Sequence, residues 1–268
     1  MKIVLLTGES LRHKYIAAQL ASHFQLELVI TEAKSALIED TSNLTSEDAA
    51  FISDHFDARS KSESRFFGEF NDFPKDVELM KILHGTINST KIPSLVESLE
   101  PDYLVLFGTS ILKGPLLEKY SGRIINLHLG LSPYYKGSAT NLFPFYYHEP
   151  ECVGATIHLA TSKVDDGPVL HQLRPDIEPQ DDLHSIGNKT ILKAGRILPE
   201  VIKAFSEKRI FPQKQTGAGR ICRNKDLTPY VLRKIYMNFE KGMMKEYLRE
   251  KEVRDLDKPI VVGWQDKK

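Results

Sequence analysis

The stretch Ile125-Asn126-Leu127-His128-Leu129-Gly130-Leu131-Ser132-Pro133 holds the side chains best suited to chemistry. Asn126 and His128 stand two residues apart at the end of an apolar run, and in an extended chain that spacing turns both side chains to one face. Asp165, 37 positions after His128, opens the turn Asp165-Asp166-Gly167-Pro168. A carboxamide donor, an imidazole and a carboxylate are what acyl transfer to an amine requires. The nucleophilic nitrogen must lose a proton, and the oxyanion that develops needs a hydrogen-bond donor. Neither step needs a metal. Taken singly, the pieces are also ordinary: Asn-x-His at a strand end suits a turn former beside a satisfied histidine, and Asp-Asp-Gly-Pro is a turn.

The elements that must position these residues read as α/β. Lys2–Leu6 is an apolar strand, Thr7-Gly8-Glu9-Ser10 a turn, Leu11–His23 a helix and Leu26–Thr31 a second strand, the opening of a parallel sheet. Residues 45–70 are polar, with Phe51, Phe56, Phe66, Phe67 and Phe70 scattered through them, and read as a helical insertion. Ile92–Leu99 is a helix, Tyr103–Phe107 a buried strand, Leu112–Tyr120 a short helix and Arg123–Leu129 the strand that carries Asn126 and His128. Gly154–Ala160 alternates as a strand, and Val169–Leu173 is its partner across the Asp165 turn. A periodic helix follows from Asp182 to Phe205, with Pro199 expected to kink or interrupt it. Thr228–Arg249 reads as one charged helix or a pair, and Asp255–Trp264 as extended. In an open α/β sheet the crevice beyond the carboxyl ends of the strands is the usual ligand site.

Composition narrows the partners. The 268 residues carry 36 basic and 36 acidic side chains, a balance that argues against holding a nucleic acid by its phosphates. No apolar run approaches a membrane span, and the first strand is too short for a signal segment. The two cysteines, Cys152 and Cys222, show no metal-ligand spacing, nor do the nine histidines, so the expectation is a reduced cytoplasmic protein with no metal.

The run from Asn126 to Gly137, with Asp165-Asp166-Gly167 downstream, resembles the formyltransferase family. That family includes glycinamide ribonucleotide transformylase, methionyl-tRNA formyltransferase and the sugar N-formyltransferases. The resemblance covers roughly residues 1–205 and implies a Rossmann-like fold with a mostly parallel sheet, residues 206–268 forming a short C-terminal extension. It implies 10-formyltetrahydrofolate as the formyl donor and Asn126, His128 and Asp165 as catalytic, with Asp165 rather than Asp166 in register because Gly167 fills the family glycine. Ser110, Ile111, Leu112, Lys163 and Val164 match the positions that hold the pterin, although Ile111 and Leu112 equally suit core packing. The first loop, Gly8 to Lys14, departs from the glycine-rich phosphate loop of the purine enzyme and includes Glu9. A helix N-terminus there can still hold a phosphate, with Arg12, His13 and Lys14 assisting.

Three acceptors compete. The tRNA enzymes append a barrel of about 100 residues, for which the chain after Phe205 lacks room; the purine enzyme ends near 200 residues. The insertion and the tail fit the sugar enzymes best, so the expected acceptor is a nucleotide-linked amino sugar. Gly8, Arg12, Tyr134, Tyr135, Lys136 and Asn141 are the candidate contacts, loop packing being the other role for the tyrosines. Membrane and nucleic-acid partners are not expected, and a homodimer is compatible with the sequence. A methionyl-tRNA enzyme and a non-catalytic binding module on the same fold are the alternatives; the intact Asn126, His128 and Asp165 set weighs against the module. A dinucleotide oxidoreductase would need a G-x-G-x-x-G after the first strand, which is missing.

Overall fold

A computed structural model of the chain describes residues 1–35 and 40–265. Five strands run parallel: β1 (Lys2–Thr7), β2 (Gln25–Glu32), β3 (Glu78–Ile82), β4 (Tyr103–Phe107) and β5 (Ile124–His128). A three-residue strand, β6 (Tyr135–Gly137), follows; then β7 (Ala155–Leu159) and β8 (Val169–Leu173) extend the same sheet antiparallel. The order is β3-β2-β1-β4-β5-β7-β8, and β6 pairs apart from it with β9 (Arg220–Cys222). The fold is therefore α/β with a mostly parallel sheet, as expected.

Helices α1 (Leu11–Ala21), α2 (Ser46–Phe67), α3 (Lys91–Leu99), α4 (Pro115–Lys119), α5 (Phe143–Tyr146) and α6 (Leu183–Ser206) flank the sheet. Thr45 caps α2 by accepting from Asp48 N, and Asp182 caps α6 by accepting from His184 N and Ser185 N. Contrary to expectation, α6 runs through Pro199 without a break. An interior proline costs about 3 kcal/mol, whereas each fully buried aliphatic side chain returns about 1.5–3 kcal/mol. Leu198, Val201 and Ile202 beside it are all fully buried. Packing wins.

The two faces of the sheet divide by period two. Ile3, Leu5, Val105, Ile125 and Leu127 face α1 and α6, while Val4, Leu6, Leu104, Leu106 and Ile124 face α3 and α4. Asn126 and His128 share the second face with Ile124, as their spacing requires. They are polar interruptions of an otherwise apolar surface.

The chain beyond α6 folds back over this body. Helices α7 (Pro229–Glu240) and α8 (Met243–Asp257) share a core with α2, α5 and α6 through Ile52, Phe145, Ile186, Ile235 and Tyr247. The extended segment begins at Lys258 rather than Asp255. Asp255 stays helical because it accepts from Tyr247 Oη at 2.9 Å and pairs with Lys251 one turn earlier. From there the tail follows the outer edge of β8, where Val261 O accepts from Gln172 N at 2.6 Å and Val261 N donates to Gln172 Oε1 at 2.9 Å. Among the described residues no helix is long and apolar enough to cross a membrane.

Candidate active site

The register of β5 against β7 sets Asn126 directly opposite His158, so the two side chains project from one face. The loop 160–168 folds over that face and brings Asp165 between them. Asn126 Nδ2 donates to His158 Nε2 at 2.9 Å and to Asp165 Oδ1 at 3.2 Å. His128 Nδ1 lies 3.3 Å from Asp165 Oδ2, which also accepts from Gly137 N at 2.8 Å. Asn126, His128 and Asp165 thus meet, joined by His158, which the sequence reading did not place in the site. Only the antiparallel pairing of two strands thirty residues apart reveals it; its alternation with Thr156 in β7 was the one local signal.

Hydrogen bonding fixes the tautomers. His158 Nδ1 donates to Leu159 O at 2.9 Å, which leaves Nε2 as the acceptor that Asn126 meets. His128 Nε2 donates to Tyr135 O at 3.1 Å, and its Nδ1 faces the Asp165 carboxylate. Burial pushes the His128 pKa down, outweighing the Asp165 charge that pulls it up. Burial also pushes Asp165 up, but His128, His158 and the Gly137 amide prevail and hold it at about 2. The result is a lasting carboxylate beside an imidazole whose Nδ1 can hold a proton.

Asp165 itself has φ of 48°, in the left-handed region, and Gly137, whose amide it meets, has φ of 96°. A Cβ on Gly137 would stand 2.2 Å from Cys222 O, so only glycine lets β9 lie this close to β6. Asp166 points away and pairs with Lys136.

The residues expected at the pterin sit on two loops flanking this cluster. Ser110 N donates to the buried Glu32 carboxylate at 2.6 Å, while Asn88 holds Ile111 O at 2.9 Å and Lys113 N at 2.7 Å. The loop after β4 is therefore fixed before anything binds. Ile111 and Val164 are exposed, at 49% and 42%, whereas Leu112 is core and Lys163 is solvated. Exposed apolar side chains beside engaged backbone suit a flat, half-apolar ring.

The expected acceptor contacts fare unevenly. Gly8 lies at the end of β1 with the buried His13 ring against it, and His13 Nδ1 accepts from Ser10 N at 3.1 Å. Arg12 is engaged within the chain: its guanidinium is bound to Glu63 at 2.5 Å, and Glu63 also accepts from Arg12 N at 3.1 Å. That carboxylate, brought by α2, fills the N-terminus of α1. Tyr135 takes the packing role, being 1% exposed with its hydroxyl given to Glu149. Tyr134 donates to Pro259 O at 2.8 Å, Lys136 is committed to Asp166, and Lys14 to Asn71 O. Asn141 differs: its Oδ1 and Nδ2 are both buried and without a partner. Among the described residues no cluster of His, Cys, Asp and Glu has the makings of a metal site.

Residues 1–202 match the family model described as formyl transferase. Formyltetrahydrofolate deformylase 1, mitochondrial, of Arabidopsis thaliana is 32% identical over 114 residues, 42% of this chain and 35% of its own length. The chain thus spans about a third of that curated relative. Among solved structures, glycinamide ribonucleotide transformylase 1 from Symbiobacterium toebii aligns with a TM-score of 0.55 and 20% identity, covering 80% of this chain and 93% of its own. A sugar N-formyltransferase from Shewanella sp FDAARGOS_354 aligns with a TM-score of 0.54 and 18% identity, covering 84% and 78%. With three quarters of its length matched and its polar cluster built on the sheet these folds share, the chain belongs to the formyl transferase family.

Proposed function

We propose that this protein passes the formyl group of 10-formyltetrahydrofolate to the amine of a nucleotide-linked amino sugar. The donor supplies an activated one-carbon unit; the chain supplies position, charge and a proton path. Asn126 has both N–H bonds engaged by His158 and Asp165, so a developing formyl oxyanion competes for one of them. His128 receives at Nδ1 the proton released by the amine, and the Asp165 carboxylate 3.3 Å away stabilises the imidazolium. His128 then returns that proton to the departing nitrogen of the folate. His158, held by its own backbone, keeps Asn126 oriented. Exposed Ile111 and Val164 would bracket the pterin, and the fixed backbone of Ser110 to Leu112 and of Lys163 would read its edge.

The Glu63 carboxylate at the N-terminus of α1 bears most on the acceptor. A phosphate monoester of the purine type would seek that same positive helix end. There it meets an anion already paired with Arg12. A diphosphate-linked sugar can be gripped elsewhere, and its hexose brings hydroxyls that suit the unpartnered Asn141 amide. The neutral overall charge weighs against tRNA.

The test is turnover of 10-formyltetrahydrofolate against nucleotide-linked 3- and 4-amino sugars, glycinamide ribonucleotide and methionyl-tRNA. An amino sugar is expected to exceed the other two in kcat/KM by at least about a hundredfold, about 2.7 kcal/mol of differential transition-state binding. Faster turnover of either competitor would overturn the acceptor. Formate released at the same rate with no acceptor present would move the assignment to hydrolysis.

A further inference from the structure

The segment 213–222 lies outside the family match, yet it touches both loops that hold Asp165. Gln213 exchanges two backbone hydrogen bonds with Val169, each 2.8 Å, which lays the segment along the end of the Asp165 turn. Two residues on, Gln215 Nε2 donates to Asp165 O and to Gly167 O, both at 2.8 Å. The same strand of chain then reaches β6: Arg220 N donates to Tyr134 O at 2.8 Å, and Arg220–Cys222 pair with Tyr135–Gly137. Gly137 in turn gives its amide to the Asp165 carboxylate.

Asp165 needs this grip. Its backbone occupies the left-handed region without being glycine, a conformation that persists only where neighbours over-determine it. The Asp165 carboxylate is anchored by Gly137 N and Asn126 Nδ2 and Asp166 bonds outward to Lys136, whereas the backbone carbonyls of Asp165 and Gly167 are held by Gln215. A carboxamide suits the task, since its NH₂ offers two donors to two carbonyls that a carboxylate would repel.

We propose that Gln215 is a positioning residue of the active site: by bridging the carbonyls of Asp165 and Gly167 it locks the turn and so aims the Asp165 carboxylate at His128. The inference rests on reading Asp165 as the catalytic carboxylate. It gives the chain after α6 a part in the chemistry, which no match confined to residues 1–202 would register.

Gln215→Met keeps the length of the side chain and removes both donors without adding charge. With saturating donor and amine, kcat is expected to fall by about a hundredfold, the effect of a shift near 1 Å in a reacting group, while KM for the folate changes less than threefold. Gln213→Met, which alters an exposed side chain in the same segment, is the control and should keep kcat within twofold. A second readout needs no acceptor: titration of the His128 ring in ¹⁵N-histidine-labelled protein. Asp165 raises the His128 pKa, so a displaced carboxylate lowers it in Gln215→Met and leaves it alone in Gln213→Met. A merely structural role would lower the melting temperature and leave that titration in place. Wild-type kcat in Gln215→Met, or an unmoved His128 titration, overturns the proposal. Loss of activity in Asp165→Asn beside full activity in Gln215→Met would sink only this inference, whereas an active Asp165→Asn would sink the reading beneath it.

Discussion

Replacing Asp165 by Asn swaps one carboxylate oxygen for an NH₂ of the same size, so shape is kept and charge is lost. Four partners surround the two oxygens. Oδ2 accepts from Gly137 N and faces His128 Nδ1; Oδ1 accepts from Asn126 and lies 3.5 Å from His158 Nε2. An asparagine can keep its oxygen on Gly137 and give its NH₂ to His158, at the cost of the Asn126 bond. The fold therefore survives. The imidazolium at His128 does not fare as well. At the observed 3.3 Å, unit charges in an effective dielectric of about 20 interact by about 5 kcal/mol, an upper bound. A hydrogen bond to a charged group is worth about 1.5–3 kcal/mol net, which sets the lower end. Between these limits kcat should fall by about 10- to 4000-fold, with an expected value near a few hundred. Asp166→Asn removes only the Lys136 pair at the rim, side chain 35% exposed, and should keep kcat within about threefold because exposed pairs contribute roughly 0–1 kcal/mol. The assay is donor consumption with the favoured amino sugar, each variant first shown to be folded. Equal losses in the two variants, or a near wild-type Asp165→Asn, would refute both the register of the turn and the charge argument.

Glu63→Ala strands the Arg12 guanidinium, whose side chain is 15% exposed, and should cost about 3 kcal/mol in denaturant unfolding, the usual result of breaking one side of a buried pair; a loss under 1 kcal/mol would show that Glu63 is dispensable there. His55, His184 and His171 have folded pKa values of about 3, 4 and 4, pushed down chiefly by burial. Their unfolded forms bind protons near pH 6.5, so stability should be complete above that pH and fall as it drops toward 4. A His55→Leu, His184→Leu pair of substitutions should flatten this slope in melting curves, and an unchanged slope would contradict it. Gly167→Ala places a Cβ 1.7 Å from Leu159 O, against backbone, and should abolish turnover and lower the melting temperature by several degrees; unaltered turnover would mean the turn is loose.

What could be read in the linear sequence follows the range of the interactions involved. Strand β4 appears at its observed limits because it is a short apolar run ended by Gly108, and β8 because the Asp165 turn marks where β7's partner must begin. The longest helix, α6, was legible from its own three- and four-residue periodicity. Strand β3 carries exposed Glu78, Leu79 and Lys81 at the sheet edge and lacks any such signature. Strands β6 and β9 have three residues each and exist only because they meet across more than 80 positions of sequence. The same distinction runs through the site. Asn126 and His128 are two residues apart on one strand, and their common face is a local fact. Glu63 against Arg12, His158 against Asn126 and Gln215 against Asp165 are products of tertiary approach. The burial of Tyr135 is of the same kind: nothing near it in sequence says that Glu149 will receive its hydroxyl and bury its ring.

The tail that follows β8 bears on how the molecule is made. Gln172 and Val261 stand 89 positions apart, and the Trp264 amide closes the seam on His171 Nδ1 at 3.3 Å. While the ribosome is still building α7 and α8, Gln213 can cover the outer edge of β8 only at Val169, and the backbone from Leu170 to Leu173 is an open template for another strand. The stretch from Pro259 to Trp264 then acts as the chain's own guard, arriving late and sealing the sheet against copies of itself. Crowded synthesis, rather than catalysis, is where a shortened tail would first be felt.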